Sequence, residues 1–245
     1  MTSSTTSGAA PRSTSTIAVP GSSVYKVRTT SRDIVLTYDD GPEPGGTERI
    51  LAALADHRAT ATFFVLLTRV RRHPRLLGAV VAGGHEIGLH GVDHRRLPGV
   101  APARVERMVR DARAELEDVL GREVKWFRAP YGAHSLQTWQ AVARTGLTSV
   151  LWSYSLRDWL NIPTAGHLEA ALKNAAPGAI TLAHDGFAGI QDGVDDGPGP
   201  GPDLDRGELT RQLLKIYEEK GLTGRSLSAA LVSGEAVSKL RLTHR

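Results

Sequence analysis

The chain reads as an α/β protein in which parallel strands alternate with covering helices, and three observations lead there. From Asp33 onward, β-rich runs and amphipathic helical runs take turns, the pattern left by βαβ units. Ionisable residues recur where the β-rich runs stop, the place where parallel α/β proteins display their chemistry. At 245 residues, seven or so such units suit a barrel better than an open sheet. A single domain over 31–233 is expected, with a disordered Ser/Thr-rich tail over 1–30 and a C-terminal tail over 234–245.

The elements follow in order. Residues 32–36 run into aliphatic and β-branched side chains and read as a buried strand, which Gly41-Pro42 stops. A helix over 47–57 has Ile50, Leu51, Leu54 and Ala55 at helical spacing. Residues 60–67 are β-rich, 74–82 are helical up to Gly83-Gly84, and 86–89 form a short strand. The helix over 102–120 is long and amphipathic, carrying Val105, Met108, Val109, Ala112, Leu116 and Leu120, and Gly121 caps it. Strands over 124–127, 149–153 and 179–183 alternate with helices over 136–145, 168–175 and 209–220. No internal repeat is seen. Residues 186–207 form the one long loop, rich in Gly, Pro and Asp. The spacing of Asp192, Asp195, Asp196, Asp203 and Asp205 lacks the alternation and closing Glu of an EF-hand. A mobile loop beside the site, a lid, is the reading.

Composition excludes several classes. With 40% hydrophobic and 23% charged residues the chain can build a large core, and its net charge of +4 is a small imbalance between 30 basic and 26 acidic residues. The one dense basic run, from Arg69 to Arg75, has no interleaved stacking aromatics. It reads as a solvated helix face, and no nucleic-acid partner is expected. Cysteine is absent, so any metal must take His and carboxylate ligands. Ile17-Ala18-Val19 is far too short for a signal-peptide core, and no stretch could span a membrane. A cytoplasmic protein without a membrane partner is expected; oligomeric state is not legible.

Chemistry-bearing residues stand at five strand ends. Asp39 and Asp40 follow the first strand and point in different directions, so one could hold a metal while the other handles a proton. Alone, Asp-Asp-Gly-Pro would read as a turn. His90 and His94, four apart, would lie on one face of a helical turn and reach one ion. His85-Glu86-x-x-x-His90 is one residue too long for a zincin. Arg128 follows Phe127, Asp158-Trp159 follows the next strand, and His184 follows Leu182-Ala183. Singly these read as a salt bridge, a core aromatic and a structural histidine. In a barrel they share one mouth.

Read together, Thr37-Tyr38-Asp39-Asp40-Gly41-Pro42, His90-x-x-x-His94, Arg128-Ala129-Pro130-Tyr131, Asp158-Trp159 and Leu182-x-His184 resemble the ordered motifs of the NodB-homology polysaccharide deacetylases, carbohydrate esterase family 4. Ala61-Thr62-Phe63-Phe64-Val65 and Gly84-His85-Glu86-Ile87-Gly88 agree. The resemblance covers about 32–221. It implies a deformed (β/α) barrel and one divalent ion, Zn²⁺ foremost, on Asp40, His90 and His94. It also implies Asp39 as general base beside the Arg128 cation, and His184 as general acid oriented by Asp158. The Tyr131 backbone N–H would meet the oxyanion, and Trp159 and Leu182 would wall the acetyl pocket. Gly91, Ala129 and Ser155 depart from the family's usual residues in loops that frame the cleft.

The function expected is hydrolysis of an N-acetyl group on an amino sugar, with a small-molecule or oligosaccharide substrate. An intracellular metabolite is preferred because no export signal is seen. Deformylation or isomerisation on the same site is the alternative. A non-catalytic binder would need no proton carriers. Gly-x-Ser-x-Gly and phosphate-loop motifs are absent.

Overall fold

β2 (Asp33–Asp39) is buried on both faces from Ile34 to Asp39, as a strand covered by helices on one side and barrel interior on the other must be. In the computed structural model, which describes residues 19–194 and 201–243, β1 (Ser22–Thr29) precedes it. After β2 come α1 (Gly46–Asp56), β3 (Thr62–Leu66), α2 (Leu67–Arg72), α3 (Pro74–Ala82), β4 (Glu86–Gly91), α4 (Pro102–Leu120) and β5 (Trp126–Phe127). The chain continues through α5 (Leu136–Ala143), β6 (Thr148–Ser149), β7 (Tyr154–Ser155), α6 (Thr164–Asn174) and β8 (Ile180–His184). It closes on α7 (Arg206–Glu219), β9 (Thr223–Arg225), α8 (Leu227–Leu231) and β10 (Gly234–Leu240).

Seven parallel strands pair in the order β6-β5-β4-β3-β2-β8-β7 and curl into a half-barrel wrapped by helices, with β9 beside β2. This is the deformed (β/α) barrel expected. Because side chains alternate along a strand, each central strand divides between two cores. Ile34, Leu36, Tyr38, Phe63, Val65, Ile87 and Leu89 join the core beneath the helices. Val35, Phe64 and Ile180 face inward, where Val24 and Val27 of β1 and Leu227 and Ala230 of α8 fill the space. By the same period of two, Thr37 and Asp39 follow Val35 onto the inner face, His90 follows Gly88, and Leu182 and His184 follow Ile180. The site is the C-terminal continuation of the inner core.

The two tails need correction at their inner ends. Ser22–Thr29 and Gly234–Leu240, read as parts of tails, pair antiparallel as a two-stranded sheet. β1 also bridges to Val150 and Ala179, so inward-facing Val24 and Val27 explain why it is ordered. Residues 1–18 and 244–245 of those tails lie outside the described residues. Shorter elements also escaped the sequence reading: β7, β9 and α8 are two to five residues long.

Phe64 connects fold to site. It is fully buried, its ring lies 4.1 Å beneath the Arg128 guanidinium, and a Cβ on Gly88 would sit 2.7 Å from that ring. Phe64→Ala is expected to cost about 3–5 kcal/mol, read as a lower denaturation midpoint with an unchanged slope.

Candidate active site

Arg128 has no exposed surface, and each of its three guanidinium nitrogens is hydrogen-bonded. Nη1 donates to Asp39 Oδ1 (2.7 Å) and Thr37 Oγ1 (2.8 Å), Nη2 to the Leu151 carbonyl (2.9 Å), and Nε to the Val150 carbonyl (3.4 Å). The Thr37 hydroxyl passes its own hydrogen to the Thr181 carbonyl. Burial pulls the guanidinium pKa down, and the Asp39 charge opposes it. Asp39 is thereby fixed by one oxygen, while its Oδ2 stands 3.9 Å from His90 Nε2.

Asp40 turns the other way, at φ 77°. Its Oδ2 accepts the Ala188 N–H at 3.2 Å. Its Oδ1 lies 3.4 Å from both His90 Nε2 and His94 Nε2 and is buried without a hydrogen-bond partner among the described residues. Burial favours the protonated carboxyl, but the His94, His90 and His184 imidazoles outweigh it and hold Asp40 well below the usual carboxylate range.

The histidines do not share a helical turn, contrary to the sequence reading. His90 ends β4, where its Nδ1–H donates to the Arg128 carbonyl at 2.8 Å. A carbonyl only accepts, so a hydrogen sits on Nδ1, and in the neutral tautomer the lone pair is on Nε2. Gly91, at φ 120°, then turns the chain back so that His94 returns to the same spot. A Cβ there would fall 2.9 Å from the Asp93 carbonyl oxygen, so this turn suits glycine. Burial, only partly offset by Asp40, lowers the His94 pKa to about 4 and keeps the ring neutral.

One donor atom each from Asp40, His90 and His94 lies within 4.8 Å of the others, the group among the described residues able to hold an ion. A buried carboxylate oxygen without a hydrogen bond, facing the Nε2 atoms of two imidazoles, fits a cation. Two imidazoles and one carboxylate suit Zn²⁺ with open positions.

Opposite stands His184, in register with Asp39 across β8 and β2. Its Nδ1 bonds Asp158 Oδ1 at 2.8 Å and its backbone N–H bonds Asp158 Oδ2 at 2.7 Å. Burial disfavours the imidazolium, yet Asp158 outweighs burial and raises His184 to about 9. Arg206, at 3.0 Å from Asp158 Oδ2, supports that carboxylate from the far side. Trp159 meets the His184 ring edge-on at 5.6 Å, and Tyr131, at φ 61°, meets His94 at 4.4 Å. All ten candidate residues thus lie together. Arg128 and Asp158 support from behind, and the other eight line a cavity of about 610 Å³ with Trp152, Phe187 and Arg241. A second cavity of about 550 Å³, beside Pro98, Leu136 and Leu242, has no ionisable lining residue.

Asp185 and Arg206 were not singled out as functional from the sequence. Asp185 accepts from the Gly41 N–H (3.0 Å) and the Thr47 hydroxyl (2.7 Å), clamping the loop after Asp40. Its burial, countered by the Thr47 hydroxyl and Arg69, pushes it up to about 7. Only glycine fits at 41, since a Cβ would overlap the Asp185 carboxyl at 1.9 Å. The usable signal was adjacency to His184. For Arg206 it was a cation in the first turn of α7, the end a helix dipole disfavours for positive charge.

Residues 26–150 match the polysaccharide deacetylase family. A chitooligosaccharide deacetylase of Azorhizobium caulinodans is 40% identical over 154 residues, covering 62% of this chain and 73% of that protein. A peptidoglycan-N-acetylglucosamine deacetylase of Bacillus cereus is 34% identical over 164 residues, covering 66% and 76%. Among solved structures, a family 4 carbohydrate esterase from Streptomyces lividans superposes with a TM-score of 0.69 at 24% identity, covering 84% of this chain and 96% of that one. A family 4 pseudoenzyme from Bacillus anthracis reaches 0.74 at 19% identity, covering 87% and 70%. With its motif residues gathered at the mouth of the half-barrel, the chain belongs to the polysaccharide deacetylase family and is an enzyme of deacetylase type.

Proposed function

We propose that the chain hydrolyses the N-acetyl group of an N-acetylglucosamine-containing oligosaccharide, with a divalent cation, Zn²⁺ foremost, held by Asp40, His90 and His94. A pseudoenzyme of the same fold means that fold alone does not carry this reading. One observation does: a carboxylate tied to a buried arginine, a carboxylate with one unbonded oxygen between two imidazoles, and a raised histidine all line one cavity. The relatives' substrates, chitooligosaccharide and peptidoglycan, favour a saccharide chain over a small intracellular metabolite. No helix among the described residues is long and apolar enough to cross a membrane.

The cation supplies Lewis acidity toward the acetamide carbonyl and acidifies water. Asp39, held by Arg128 through Oδ1, takes the water proton at Oδ2 as oxygen attacks the carbonyl carbon. The Tyr131 backbone N–H donates to the developing oxyanion. His184, its Nδ1 committed to Asp158, delivers a proton from Nε2 to the departing nitrogen as the C–N bond breaks. Acetate and a free amine result. Leu182 and Trp159 wall the acetyl methyl.

Purified, metal-loaded protein offered N-acetyl and N-formyl glucosamine monomers and oligomers is expected to release acetate from the oligomers, measured by mass spectrometry. Formate release alone would replace deacetylation by deformylation, and release from monomers alone would restore the metabolite reading.

The two neighbouring carboxylates divide the work, so their amides differ. Asp39→Asn is expected to keep its metal by elemental analysis and lose roughly two to four powers of ten in kcat. Asp40→Asn is expected to lose metal first. Recovery of Asp39→Asn by excess zinc would reverse the assignment.

The acid must be protonated to act, and His184 stays so until about pH 9. Asp158→Asn removes the anion that favours the imidazolium, so the alkaline limb of the rate profile is expected to move to lower pH, with less change on the acid side. Near-full activity in His184→Ala would withdraw the acid role.

A further inference from the structure

Two features singled out in the sequence lie outside the five motifs: the basic run that begins at Arg69, and Asp192 in the Gly/Pro/Asp loop. The structure joins them. The run was read as a solvated helix face; instead Arg69 turns inward from α2 and is 5% exposed, and Asp192 is 2% exposed. Arg69 Nη2 bonds Asp192 Oδ2 at 2.7 Å, and Arg72 pairs with Asp192 Oδ1. Arg69 also pairs with Glu43, just past the Asp40 turn.

Building such a cluster is costly. Two charges taken out of water gain little net stability over apolar side chains of the same volume, so what the cluster positions matters more. From Arg69 Nη2 a second bond runs to the Phe187 carbonyl at 2.8 Å, and Asp192 Oδ2 accepts the Gly189 N–H at 3.1 Å. Between these anchors sits Ala188, whose N–H donates to Asp40 Oδ2. That bond occupies one oxygen and leaves Oδ1 to face His90 and His94. At the other end of the loop, the Asp192 carbonyl accepts the His94 N–H at 2.6 Å. One ion-pair cluster therefore fixes the rotation of one candidate ligand and the backbone of another.

We propose that Asp192, gripped by Arg69 and Arg72, is a positioning residue that orients Asp40 and His94 for their cation. This rests on the assignment of Asp40, His90 and His94 as the metal centre. It gives residues 186–192 a fixed role, bracing the centre, rather than that of a lid; 195–200 lie outside the described residues.

The test is Zn²⁺ affinity by competition with a chromophoric chelator, with the visible spectrum of the Co²⁺-loaded protein as a second readout. Asp192→Ala is expected to bind Zn²⁺ roughly ten- to a hundredfold more weakly, as losing a partner behind a ligand does, and to change the Co²⁺ bands. Arg69→Gln is expected to follow it. Arg71→Ala, on the same helix but paired with exposed Glu115, is expected to match wild type in both. Where Asp192→Ala does not fold, Asp192→Asn carries the same comparison. Wild-type affinity and spectrum in a folded Asp192 variant, with binding abolished in His90→Ala, would overturn this proposal alone. Wild-type binding in His90→Ala would overturn the metal centre and this proposal with it.

Discussion

The contact between Arg128 and Asp39 is the constraint on which the rest of the architecture depends. An arginine with no exposed surface must satisfy its donors inside the protein, because a buried unpaired charge costs several kcal/mol. It does so with one carboxylate, one hydroxyl and two carbonyls, drawn from β2 and from the segment that follows β6. Its own carbonyl takes the His90 Nδ1–H. A single residue thus sets the face of Asp39 and the tautomer of His90. Replacing it would leave Asp39 buried without its cation, so this pair constrains folding and chemistry together.

Much of the architecture was legible because motif and strand end coincide in a parallel α/β chain. The inner face of β2, read by alternation from Val35, leads to Thr37 and Asp39, and the same period on β8 leads from Ile180 to His184. Strands β3, β4 and β8 and helices α1, α3, α4 and α7 announced themselves through β-branched runs, helical spacing and glycine stops. His94 was found by its distance from His90 but for the wrong local reason. A strand followed by a left-handed glycine turn brings two rings together as well as a helical turn does, and spacing alone does not separate the two.

What was not legible depends on contacts remote in sequence. Asp192 and Arg69 are 123 residues apart, and each has an ordinary local reading, a loop acid and a surface cation. Arg206 and Asp158 are separated by 48. Ion-pair partners carry no periodic signal, so nothing local marks one arginine of a basic run as turned inward. β1 and β10 escaped for a related reason. Each has polar residues at many positions, without a sustained apolar alternation, and is held as a strand by pairing with the other.

That pairing has a consequence for motion. Arg28 and Glu235 meet across 207 residues of chain, and closing so long a loop costs more entropy than joining neighbouring strands. β10 buries little side-chain surface, unlike β1, whose Val24 and Val27 sit in the inner core, so β10 has a small apolar reward to set against that cost. It is therefore the part of the molecule expected to form last and to open first, in brief local excursions that leave the parallel sheet intact. Arg241, which follows β10 and stacks 5.2 Å from the Trp152 ring at the cleft edge, would move with it. Breathing at the seam of the two chain ends would then change the width of the substrate entrance while Asp39, Arg128 and the histidines stay fixed.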